Sequence, residues 1–203
     1  MINLTKTSEQ SGRSMVEMLG VLAIVGVLSI GGIAGYSKAM AKYKVNKTLD
    51  QISLLITNIR TTYGNQNDYA GLTNATAITY GIAGADIQTG STSKLMNAFG
   101  GSIDITAGNY QTDKYDWQGD AKGYFNITID NVEKVACATI MSADWGSSAA
   151  SGLMGIAIGT GDDNLYTWTN TSRKLPLTWD TAFTKCSSVA GTAGNTSLRW
   201  IYN

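Results

Sequence analysis

The chain has 203 residues, with 15 basic and 15 acidic side chains, no histidine, one proline and two cysteines. That balance lacks the basic excess of an avid nucleic-acid binder, so no nucleic-acid partner is expected. Without histidine, Ser-His-Asp, Cys-His and histidine-ligated metal chemistry are excluded, and no enzymatic activity, cofactor or metal is expected.

Residues 18–37 carry no charge. As a helix this run spans about 30 Å, the thickness of a bilayer's hydrocarbon core. A cleavable secretory signal has a shorter apolar run with its cut site on the far side. Here the run is expected to be retained as a membrane anchor. Gly31 and Gly32 lie inside it, where each weakens a helix by about 1 kcal/mol. Glu17 stands at its edge. An unpaired carboxylate in a bilayer is unfavourable by several kcal/mol. Two readings of Glu17 alone stay open: a functional acid with a partner, or a carboxylate resting in the wet headgroup layer.

The helix is expected to continue past the anchor. Val45, Leu49, Ile52, Ile56, Ile59 and Tyr63 recur at steps of four and three, which makes one apolar stripe. Gly64 and the polar run that follows end it. The amphipathic half needs a partner surface, most simply a sheet supplied by the rest of the chain.

Beyond residue 64, glycine, threonine, serine and asparagine abound, as in a β-rich domain with many turns. Residues 69–87 read as loop with short turns and 92–98 as a short helix. Residues 103–106 and 124–129 read as strands, the second alternating Phe125, Ile127 and Ile129 with polar residues. Asp130-Asn131-Val132-Glu133 has a capping-box pattern opening a helix through Val135, Ala136, Thr139 and Ile140. Residues 153–158 and 165–169 read as a hairpin around Gly159-Thr160-Gly161-Asp162-Asp163. A helix from about Asp180 delivers Cys186, and 197–202 makes a closing strand.

Cys137 and Cys186 read as two buried thiols or as one disulfide, the latter requiring an oxidising compartment. Spacing does not choose between them; an anchor with a translocated domain favours the bridge. Asp113, Asp116 and Asp120, or Asp162 and Asp163, could be considered for calcium. Their spacing misses the EF-hand pattern, and solvated turns account for them. Of the tryptophans at 117, 145, 168, 179 and 200, core packing explains most better than a binding platform does. Asn74-Ala75-Thr76 fits the glycosylation pattern, but so short a pattern arises by chance.

Gly12, Glu17 as the fifth residue beyond it, and the glycine-punctuated apolar helix together resemble the class III leader of type IV pilins and pseudopilins. The resemblance implies cleavage by a prepilin peptidase after Gly12, with Arg13 as the new, methylated terminus. It also implies that Glu17 meets the terminal amine of a neighbouring subunit during assembly. Two charges leaving water are tolerable when paired, and the pair fixes the register of one helix on the next. Arg13 departs from the aromatic or large apolar residue usual after the cut.

Further along, Asn97-Ala98-Phe99-Gly100-Gly101 leading into Ile103-Asp104-Ile105 is followed by Phe125-Asn126-Ile127-Thr128-Ile129 and a cysteine-bearing helix. A second cysteine comes shortly before the final strand. This order resembles the type IVb pilins, the thin-pilus pilins of conjugative plasmids in particular.

The implied fold is α+β: a long N-terminal helix, its apolar half protruding and its amphipathic half packed on an antiparallel sheet, with a C-terminal disulfide-bounded region. The implied parts are a leader (1–12), a transmembrane and polymerisation helix (13–37), an amphipathic helix (38–64) and a globular head (65–203). The implied function is the structural subunit of an extracellular pilus serving adhesion, conjugation or related surface functions. Implied partners are identical subunits, the prepilin peptidase, the inner-membrane assembly machinery and, before assembly, the membrane. A minor pilin or pseudopilin, or a single-pass anchored binding protein that never polymerises, are the alternatives. Four lysines after the run (Lys38, Lys42, Lys44 and Lys47) would by a positive-inside count keep the head in the cytoplasm. Long domains translocate despite flanking charge, however, and the leader motif and cysteine pair favour the outside.

Overall fold

The computed structural model describes residues 15–66, 68–108, 123–146, 149–159, 164–191 and 194–203. The first element, α1 (Met15–Tyr63), is an unbroken helix of 49 residues, running through Gly31 and Gly32 and stopping before Gly64. The chain divides after Lys42 into two compact units. In the first, every described residue from 15 to 39 is exposed. In the second, α1 buries Val45, Ile52, Leu55, Ile56, Ile59 and Tyr63 in the main core. Leu49 packs against that core from the side.

The expected stripe is thus present, and it is wider than the apolar spacing alone indicates. Thr48 and Gln51 are buried beside it. Gln51 Nε2 donates to Asp86 Oδ2 at 2.8 Å, Lys47 Nζ lies 3.8 Å from the same oxygen, and Asn58 Nδ2 donates to the Ile82 carbonyl at 2.9 Å. These polar contacts tie the helix to the segment around residues 82–86.

Six strands form one antiparallel sheet in the order β1-β2-β3-β6-β4-β5. Their ranges are β1 Leu95–Met96, β2 Ser102–Ala107, β3 Phe125–Glu133, β4 Leu153–Ile158, β5 Leu165–Thr167 and β6 Asn195–Tyr202. Alternation in β2, and in β3 as far as Ile129, buries Ile103, Ile105, Phe125, Ile127 and Ile129 on one face, as a half-covered sheet requires. At the β4–β6 end both faces are covered: Ile201, Ala157, Leu165 and Tyr124 form a second small cluster.

The last strand of the chain sits in the middle of the sheet, so the β4–β5 hairpin joins β3 only through β6. Both sheet edges are closed by the chain itself. Met96 N donates to the Ile87 carbonyl beside β1, and Thr167 N to the Arg173 carbonyl beside β5. Edges closed in this way do not template aggregation.

Three readings of the sequence need correction. Residues 92–98 do not form a helix: Leu95 and Met96 pair with Ile103 and Ser102 as β1. Leu95 is buried and Met96 exposed, as successive residues of a strand face opposite sides. Second, Asp130–Glu133 is not a capping box. The strand continues to Glu133 through a register shift between Ile129 and Val132, and Asn131 there has φ 64°. The side chains that would cap are committed elsewhere: Asp130 accepts from Ser102 Oγ at 2.8 Å, and Asn131 Nδ2 donates to the Phe99 carbonyl at 3.0 Å. Helix α2 is absent from the reading of 69–87 as loop; it occupies Asn74–Thr79, capped by Thr73 and Thr76 reciprocally. Threonine stands where the usual pattern has Glu or Gln.

Helices α3 (Lys134–Met141) and α4 (Trp179–Val189) follow β3 and β5 respectively. Thr178 caps α4 through its side chain. An aromatic row locks the end of α1 to the sheet: Tyr63 to Tyr69 at 5.6 Å, Tyr69 to Phe125 at 4.8 Å, Phe125 to Tyr202 at 6.0 Å between ring centroids.

Candidate functional site

The first feature is the surface of α1 from 15 to 39. Leu19, Leu22, Ile24, Val27, Leu28 and Ile30 are each more than 60% exposed. Covering such a side chain stabilises by about 1.5–3 kcal/mol relative to leaving it in water. A dozen of them around a helix require lipid or other helices as surroundings. Glu17 sits in the first turn of this helix, exposed and without an ion-pair partner among the described residues. The negative charge there also suits the positive end of the helix dipole. Gly12 and Arg13 lie outside the described residues, as do Asp113, Asp116, Asp120, Asp162, Asp163 and Trp117.

The second feature is a corner built by Asn97, which is 5% exposed. Its Oδ1 accepts from Phe99 N at 2.8 Å and Gly101 N at 3.1 Å, while its Nδ2 donates to the Asp130 carbonyl at 2.8 Å. One amide therefore folds the turn 97–101 and pins it to the irregular stretch of β3. Gly100 has φ 81°, and a Cβ on Gly101 would collide with the Asp130 carbonyl. Both glycines are needed for that geometry. The Phe99 ring lies under Lys44 Nζ at 5.8 Å, which ties the corner to α1. The resemblance drew attention to this segment; residue types alone do not disclose that Asn97 is its centre.

Third, Cys137 of α3 and Cys186 of α4 are joined in a disulfide, with Cα atoms 6.1 Å apart and both residues fully buried. The bridge closes a segment carrying β4, β5 and most of α4. At the end of α3, Trp145 Nε1 donates to the Ile140 carbonyl at 2.7 Å, and Tyr202 Oη donates to the Trp145 carbonyl at 2.6 Å. Burial pushes the Tyr202 phenol up to about 12, with Arg60 pulling the other way.

Among the described residues no group of three or more His, Cys, Asp or Glu side chains converges as a metal site. Trp145 and Trp200 are core residues, whereas Trp179 is half exposed and stacked on Phe183. Asn74 is used structurally: its amide donates to the Ile103 carbonyl and accepts from Ile105 N.

Comparison with known proteins places this geometry. The profile of the bundlin family matches residues 37–203. Among solved structures, the chain is similar to a type IVb pilin from Salmonella typhi, at 25% identity and a TM-score of 0.50, covering 78% of this chain and 97% of that one. It is also similar to TcpA, a type IV pilin from the El Tor biotype of Vibrio cholerae, at 17% identity and a TM-score of 0.50, covering 79% and 99%. No curated protein matches it.

Proposed function

The chain belongs to the bundlin family of type IVb pilins, structural subunits of pili, and on that premise we propose the life cycle of this subunit. It is made as an inner-membrane precursor, held by residues 13–37 with the head outside. A prepilin peptidase removes residues 1–12, cutting between Gly12 and Arg13. The assembly machinery then moves the apolar helix from lipid into a bundle of identical helices in the filament.

The observation that carries this reading is the helix surface of 18–37, uncharged and exposed on every side, with Glu17 as the acid at its edge. An anchor needs only the apolar surface. An acid at its edge is useful when a second charge, the terminal amine of a neighbour, must also leave water. The family and the fold are structural rather than enzymatic, and the work of the protein on this reading is to fill, align and hold.

Replacing Glu17 by Val tests the register role. Insertion and cleavage should persist, because an acid leaves the bilayer edge. Filaments sheared from cells with Glu17→Val as sole subunit should lack the protein. Removing one partner of a buried pair destabilises by about 3–5 kcal/mol, enough to stop addition. Normal filaments from that variant would overturn the pairing.

A further inference from the structure

The C-terminal end of the apolar run carries charges that neither cleavage nor the register pair uses. Tyr36 is 67% exposed. Lys38 and Lys42 are exposed and four residues apart, so they share a helical face. No acid lies between Glu17 and Asp50. Neither lysine forms an ion pair with a described residue; the ion pair found among those residues is Lys47 with Asp86.

Like charges at this spacing repel. On the translocated side of a membrane, lysines also run against the positive-inside tendency. From Glu17 to Lys38 the helix rises about 32 Å. With Glu17 at one boundary of the hydrocarbon core, both ammonium groups emerge at the other.

We propose that Lys38 and Lys42 are a docking surface for the phosphodiesters of anionic phospholipids, with Tyr36 seated at the same interface. Continuity with the apolar run selects lipid over a protein carboxylate as the occupant. In a spanning helix the first groups these two side chains meet are headgroups. A compact charge on a flexible four-carbon stem suits a fluid layer without fixed geometry, and tyrosine is an interfacial residue. The contact holds the precursor at one depth until assembly, and it offsets both the repulsion and the unfavourable side. The proposal rests on the membrane-held precursor described above.

The full chain is reconstituted in phosphatidylcholine vesicles carrying trace spin-labelled phosphatidylglycerol or spin-labelled phosphatidylcholine. Electron paramagnetic resonance then reads the motionally restricted fraction of each. The wild type should prefer phosphatidylglycerol by about two- to fivefold, and the preference should shrink as salt is raised. The double variant Lys38→Gln/Lys42→Gln should restrict both lipids equally, whereas Lys174→Gln, in the head, should keep the preference. Equal restriction of both lipids by the wild type, or an undiminished preference in the double variant, overturns the proposal. If neither lipid is restricted, the membrane reading itself fails and the docking surface fails with it.

Discussion

Asn97 uses both ends of its amide, so the loss of one side chain releases backbone groups of the turn and of β3 at once, together with a longer contact to the Ser102 carbonyl. Asn97→Ala leaves Phe99 N, Gly101 N and the Asp130 carbonyl to find water in a buried corner. Each unsatisfied buried group costs about 1–3 kcal/mol, and these groups lie around one corner that can partly relax, so a total loss of about 2–4 kcal/mol is expected. Urea unfolding of the full chain in detergent should show a lower midpoint with an unchanged slope.

Tyr202 gives the head an alkaline limit. Burial favours the neutral phenol and raises it from 10.0 to about 12, with Arg60 opposing and Asp144 adding to the rise. Below pH 10 both states hold the proton and stability is flat. Between pH 10 and 12 the unfolded chain releases it while the folded chain does not, so stability falls as pH rises. A shift of that size corresponds to about 2–3 kcal/mol lost by pH 12. Tyr202→Phe should lose about 0.5–1.5 kcal/mol at neutral pH with the bond to the Trp145 carbonyl. Its unfolding midpoint should then decline less steeply above pH 10. Tyr63, Tyr69 and Tyr166 are raised in the same direction by burial, so the slope should lessen rather than vanish.

At the scale of elements, the disulfide joins α3 to α4 and the hairpin between them reaches the rest of the sheet only through β6. A bridge closing a loop of about 50 residues contributes about 4 kcal/mol by restricting the unfolded chain. Cys137→Ser/Cys186→Ser should therefore lower stability by about that amount. Proteolysis should appear first within 138–185, and an unchanged protease pattern and midpoint would contradict the role given to the bridge.

The elements that were legible in the sequence are those whose own periodicity decides them. The stripe from Val45 to Tyr63 and the alternation of Phe125, Ile127 and Ile129 are single-element patterns, and both stand in the structure. The expected strand at 153–158 coincides with β4, and α4 begins one residue before Asp180. The misread segments are decided by what pairs with them, or, in α2, by a threonine standing where the usual capping pattern has Glu or Gln. Asp130 and Asn131 have capping chemistry, but Ser102 and Phe99 claim their side chains. Leu95 and Met96 form a strand because Ile103 and Ser102 lie opposite. At the candidate site, the apolar run could be read directly, whereas the cysteine bridge is favoured only through an anchor with a translocated domain. The corner of Asn97 could not be read, because the Asp130 carbonyl that completes it is brought to the turn only by the β2–β3 pairing.

At the scale of the molecule, the two units have surfaces of opposite kinds. The head closes its sheet edges and buries its apolar residues, as a protein exposed to water must. The helix before it leaves its apolar residues uncovered on all sides. Such a helix is complete only when other apolar surfaces cover it; membership of the bundlin family identifies the finished form as a pilus of identical subunits. The step that links membrane and filament in the proposed life cycle is a single cleavage beside Glu17. The most direct test is intact mass spectrometry, without reduction, of the chain recovered from sheared surface filaments. A subunit beginning at Arg13, with its two cysteines bridged, is expected. A filament subunit still beginning at Met1, or cut beyond Gly35, would contradict the proposed life cycle, as would filaments that do not contain the chain.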